Sequence, residues 1–151
     1  MIPHHEQRAW ARLTADMEGD MHQYDYWQDA SENVRQAYLD VILLEDAARA
    51  AGITSAIVYA QNPDEGWGPY AKIGKGQYWR PLDDDGDALR LAVKLGLEIM
   101  QTEDSDKVAY VQVSLYMGHD LCVTEPRGND HYAATRRAIV RAAAQLPPRV
   151  A

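Results

Sequence analysis

One cysteine, Cys122, is all that the 151 residues contain, so no disulfide can close within the chain, and this usage suits a reducing compartment better than a secreted one. Long apolar runs are missing too: none approaches the roughly 18 residues that span a membrane, and the N-terminal stretch MIPHHEQRAWARL lacks the apolar core of a signal peptide. The expectation is a soluble, untargeted chain working in the cytoplasm without a membrane partner. Bases are few, 15 Lys and Arg against 23 acids for a formal net charge of -8, which argues against a general nucleic-acid binder with its usual basic face. No hydrolase elbow, Walker loop or dinucleotide fingerprint occurs, and no cysteine and histidine spacing matches a zinc site.

The length suits one domain, which at this size buries roughly two thirds of its unfolded surface and needs no staples. Its charge is unevenly placed. Residues 1–65 hold 12 acids and 4 bases, and residues 83–125 hold 10 acids and 3 bases. Between them, residues 66–82 carry Lys72, Lys75 and Arg80 with no acid, and residues 126–151 carry five arginines against Asp130 alone. Two basic islands therefore sit in an acidic protein.

Helical spacing of Trp10, Leu13 and Met17 predicts a short helix from about Pro3 to Met17. The following segment mixes acids with Tyr24, Tyr26 and Trp27 and reads as a loop or irregular helix that carries these rings toward a surface. Ser31 can cap a helix on which Val34, Ala37, Tyr38, Val41, Ile42 and Ala48 keep the helical period until Gly52 ends it. TSAIVYA, Thr54 to Ala60, reads as a strand. Residues 66–80, rich in glycine, form a long loop or two short edge strands. KVAYVQVSL alternates, with Ala109, Val111, Val113 and Leu115 on one side, and pairs with HDLCVTE as an antiparallel hairpin. Asp130 caps a last helix that Pro147 and Pro148 terminate.

In PLDDDGDALRLAVKLGLEI, Pro81 to Ile99, four aspartates surround Gly86. A calcium loop with Gly86 at its sixth position would need ligands where Pro81 and Ala92 stand, so no metal is assigned. Asp84 or Asp85 as N-cap, with Asp87 in the first turn, accounts for the acids better. The helix is read as running to about residue 100, apolar over most of its circumference: Leu89, Val93, Leu97 and Met100 form one stripe, and Leu91, Leu95 and Ile99 another. That pattern suits a helix packed on a sheet and touched by a further element. Cys122 with His119 or His131 could suggest a nucleophile and base, but positions 119 and 122 point to opposite faces of a strand, and Cys122 reads instead as a small buried apolar residue.

The stretch GWGPYAKIGKGQYWRP is the one place where residue types suit a ligand. Trp67, Tyr70, Tyr78 and Trp79 offer stacking faces, Lys72, Lys75 and Arg80 supply positive charge, and the glycines permit close approach, a set that fits a nucleotide or another flat anion. An ordinary hairpin whose aromatics cover the edge of the core explains the same residues. In the last helix Arg136 and Arg137 either lie on a solvated face, pair with acids of the helix 85–100, or bind an anionic group alongside the loop.

WRPLDDDGDALRLAVKLGLEI, followed about 35 residues later by HYAATRRAIVRAAAQL, resembles the Phage ABA sandwich domain, a family of small phage and prophage proteins. The likeness covers roughly residues 77–146. It implies a three-layer α/β/α sandwich, which agrees with the α+β order of elements: a small, mainly antiparallel sheet with helices on it. Residues 1–52 are expected as an N-terminal helical extension packed on the core, and residues 53–151 as the sandwich domain, in a single folding unit. The likeness transfers no catalytic residue and no cofactor. The function expected is a phage or prophage accessory protein, not an enzyme, that acts by binding in the host cytoplasm, as an inhibitor of a host defence protein. The alternative is a module that sequesters a nucleotide or other small anionic ligand on loop 66–80 and the arginine helix. Self-association into a homo-oligomer stays open.

Overall fold

Ser31 starts the longest helix by accepting a hydrogen bond from the Val34 N–H, and Gly52 ends it in the left-handed region, its N–H on the carbonyls of Ala48 and Arg49. In the computed structural model, which describes residues 3–16, 27–59, 68–115 and 120–148, this helix is α2, Glu32–Ala51. It follows α1, His4–Asp16, and a single 3-10 turn at Trp27–Asp29. Then come β1, Ile57–Tyr59; β2, Pro69–Gly74; β3, Gln77–Trp79; and α3, Asp85–Leu95. The chain closes with β4, Leu97–Glu103; β5, Ala109–Leu115; β6, Cys122–Pro126; and α4, His131–Ala144.

The class is α+β. Where one small sheet was expected there are two antiparallel three-stranded sheets, in the orders β1-β2-β3 and β4-β5-β6. The hairpin read from the alternation of residues 109–115 is present, with Val113 facing Val123 and Gln112 facing Thr124. The reading of one helix to residue 100 is corrected. Gly96 adopts φ 68, stops α3 with its N–H on Ala92 and Val93, and turns the chain into β4. Leu97 and Ile99, counted as helical, lie opposite Leu115 and Val113 in a strand. Helical spacing and strand alternation coincide over so short an apolar run, and the glycine between them carries the decision.

One core joins the elements. Leu44 of α2, Leu91 and Leu95 of α3, Val111 and Val113 of β5, and Val140 of α4 are buried in it together. Ile57, Ala71 and Trp79 bring the inner face of the first sheet into the same cluster. Within α2, residues from Val41 to Ala51 contribute to this core. What packs on from outside is α1: Ala9 and Leu13 meet Trp27, Ala30 and Ile42 in a second, smaller cluster. There the Trp10 and Trp27 rings meet edge to face at 6.3 Å. Trp27 is thus inside the protein and not carried to a surface, while Tyr24 and Tyr26 lie outside the described residues. Arg8 on Asp46 at 2.9 Å and Arg12 on Glu45 at 2.8 Å hold α1 against α2.

Among the described residues no helix is long and apolar enough to cross a membrane.

Candidate functional site

Residues 69–79 form the hairpin β2–β3, and its register divides the aromatics expected at a ligand site. Ile57, Ala71 and Trp79 are cross-strand partners on the inner face, and Trp79 retains only 6% of its exposure. Its indole is a core side chain, not a stacking platform. Val58, Tyr70, Lys72 and Tyr78 alternate onto the outer face, where the two tyrosine rings meet edge to face at 5.4 Å. Lys75 sits exposed at the turn, next to Gly76, whose φ of 68 makes that turn a position for glycine. Arg80 follows β3, half-buried, with its backbone N–H donating to Asp87. Trp67 lies outside the described residues.

The arginines of α4 do not join this face. Arg136 donates Nε to the Leu82 carbonyl at 2.9 Å and pairs with Asp85 at 2.6 Å. Arg137 sends two nitrogens to Asp40 of α2, and Arg141 pairs with Glu125 of β6. Burial of the Arg137 guanidinium acts to lower its pKa, but hydrogen bonding and attraction from Asp40, helped by Glu125 and Asp83, raise it overall. Each arginine is thereby a strut between α4 and another element: Arg136 meets an acid of the 85–100 segment, as one sequence reading had it, while Arg137 and Arg141 meet acids of α2 and β6 instead.

The aspartates are equally committed. Asp84 is the N-cap, accepting from the Asp87 N–H at 2.8 Å, and Asp83 accepts from the Gly68 N–H at 2.9 Å. Asp87, 7% exposed, takes the Arg80 N–H at 2.9 Å and an Arg90 nitrogen at 2.8 Å. These acids tie the β3–α3 connection together. Among the described residues no group of three His, Cys, Asp or Glu is placed to hold a metal ion. Cys122 is exposed, opposite Ser114, where the sequence suggested a buried strand residue; His119 lies outside the described residues.

A surface that no candidate residue marked lies on the other side of α3. Leu91 and Leu95 point into the core, while Leu89 is 58% and Val93 74% exposed one helical turn apart. Across from Leu89, Tyr132 at the start of α4 is 71% exposed. Between them runs a groove of about 330 Å³ lined by Ala88, Leu89, Ile99, Tyr132 and Ile139, with the Arg136–Asp85 pair at its rim. Helices α3 and α4 form its walls and β4 one end. The signal was in the sequence as the apolar stripe Leu89, Val93, Leu97 and Met100 of the helix. Half of that stripe, Leu89 and Val93, is left in water, and the other half became strand β4.

No family model, curated protein or solved structure matches the chain.

Proposed function

We propose that this chain is a phage or prophage accessory protein that acts by binding a host protein, with the α3–α4–β4 groove as its contact surface. The observation that carries the reading is an apolar groove lined by Leu89 and Tyr132, each more than half exposed, with Val93 exposed one turn further along α3, in a chain of net charge -8. Burying such side chains in the protein's own core would stabilise it, so holding them in water is the mark of a surface that something else covers. The likeness of residues 77–146 to the Phage ABA sandwich domain supports the setting, since the two helical stretches that carry it are α3 and α4, the walls of the groove. The acidic surface favours a partner with a basic face, such as a host defence protein that ordinarily holds nucleic acid. The host cytoplasm is the place where such a partner is met.

Photo-crosslinking tests this. Benzoylphenylalanine in place of Leu89 or Tyr132 is expected to give a discrete adduct with one host protein on irradiation in cells, and the same group at Lys75 is expected to give none. Equal adducts from all three positions, or none from either groove position, would set the reading aside.

A second reading has its own observation. The Tyr70 and Tyr78 rings and Lys72 share the outer face of the first sheet, a basic and aromatic surface suited to a nucleotide base and its phosphate. A nucleotide that raises Tm, with the rise lost in Tyr78→Ala and Lys72→Glu, supports it; no rise with any nucleotide removes it.

A further inference from the structure

The groove ends on a free backbone edge. β4 pairs with β5 from Leu97↔Leu115 to Glu103↔Ala109 and, among the described residues, with no strand on its other side. Alternate residues of such an edge aim N–H and C=O groups away from the sheet, and the seven residues of β4 match an ordinary strand in length. Ile99 of this strand lines the groove with Leu89 of α3 and Tyr132 and Ile139 of α4. A strand added beside β4 would therefore send alternate side chains into the groove, continuing the Leu97 and Ile99 row. The others would extend the outward row of Glu98 and Met100, both exposed.

Charge selects what can occupy this edge. From Leu97 to Asp106 the chain carries Glu98, Glu103, Asp104 and Asp106 and no base, and Glu98 and Glu103 are exposed. Two copies of β4 paired antiparallel through this edge would crowd Glu98, Glu103, Asp104 and Asp106 of each copy along one seam that holds no base. A second copy of this chain is thus disfavoured, and a segment carrying bases is favoured.

We propose that β4 accepts, as an added antiparallel strand, an extended segment of the partner protein in which an apolar pair lies between basic residues. One apolar side chain, beside Ile99, enters the groove; the other lies beside Met100; lysine or arginine stands beside Glu98 and Glu103. Main-chain hydrogen bonds supply affinity, and the groove and acids supply specificity. The inference rests on the protein-binding reading above and names the chemistry of its partner.

The test is amide NMR on the isotope-labelled full chain titrated with the peptide acetyl-Gly-Lys-Thr-Thr-Val-Leu-Lys-Gly-amide. Saturable shifts across Leu97–Glu103 are expected. Methylating the backbone nitrogens that face β4 should weaken binding about tenfold or more, while methylating the alternate set should not. Glu98→Lys with Glu103→Lys, at two exposed positions, should weaken it to a similar degree with the rest of the spectrum unchanged. If the peptide shifts Leu89 and Val93 alone and both methylated forms bind equally, strand addition is overturned and the groove remains a protein-binding surface. Equal binding by a peptide with glutamates for its lysines overturns the charge selection. No shift at millimolar peptide overturns the inference outright, and crosslinking from Leu89 and Tyr132 then decides the broader reading separately. A dimer in sedimentation whose β4 amides are protected makes a second copy the occupant and likewise overturns it.

Discussion

Arg137 on α4 places two nitrogens on the carboxylate of Asp40 on α2, at 3.0 and 3.2 Å, joining helices whose paired residues stand 97 positions apart in the chain. Together with Arg136 on Asp85 and Arg141 on Glu125, it makes α4 the element to which α2, α3 and β6 are all tied.

Breaking that pair should destabilise the protein more than a surface ion pair does, because both side chains are largely withdrawn from water. Arg137→Ala is expected to cost about 1–3 kcal/mol in urea unfolding, between the exposed and buried limits. A cycle with Asp40→Ala should return a coupling energy of about 1 kcal/mol or more. The Arg137 pKa is raised in the folded state, so its contribution is fully present below the ordinary guanidinium value and is lost only as pH rises above it. The Tm difference between the unaltered chain and Arg137→Gln should therefore hold constant from about pH 6 to about pH 10. A difference that shrinks across that interval would contradict the assignment.

Asp84 and Asp87 stand three residues apart and carry different loads. Asp84→Ala removes an N-cap and should cost about 1 kcal/mol. Asp87→Ala leaves the half-buried Arg80 N–H without its carboxylate acceptor, so a loss of about 2–3 kcal/mol is expected. Equal midpoints for the two variants in denaturant titrations would refute this ranking.

Gly96 marks the change from helix to strand. A Cβ there meets no atom within 4 Å, so the cost of Gly96→Ala comes from φ 68 alone and should be about 1–2 kcal/mol. Gly96→Asn, which tolerates the left-handed region better, should recover part of it. An alanine variant as stable as the parent would mean that α3 ends for another reason.

Leu89 and Leu91, two residues apart on α3, should respond in opposite ways. Leu91→Ala empties a core position and is expected to cost about 2–5 kcal/mol. Leu89→Asp and Val93→Asp alter exposed side chains and should change stability by no more than about 0.5 kcal/mol. Comparing calorimetric midpoints of the three variants separates a docking face from a core face. A Leu89→Asp variant that unfolds as readily as Leu91→Ala would place Leu89 in the core.

Short-range chemistry was determined by the sequence itself. Ser31, Asp84 and Asp130 each satisfy an amide three residues on, and Gly52 closes α2, because a cap and its partner lie within one turn of chain. Alternation across 109–115 likewise specified β5 and its hairpin partner, since neighbouring strand residues must face opposite ways. Tertiary structure decided the matters that depend on residues far apart. It settled that Leu97–Glu103 is a strand, because β5 supplies its hydrogen bonds. Trp79 turned inward while Tyr70 and Tyr78 stayed outside, because the register with Ala71 and Lys72 fixes the face. Arg136 and Arg137 met carboxylates 51 and 97 residues away, a pairing that no local spacing encodes. The candidate site was legible only as one of two apolar stripes on one helix, the one holding Leu89 and Val93. Whether such a stripe is buried or left open depends on what the rest of the chain lays over it, and here Leu89 and Val93 remain exposed, Leu89 beside a groove it lines with Tyr132.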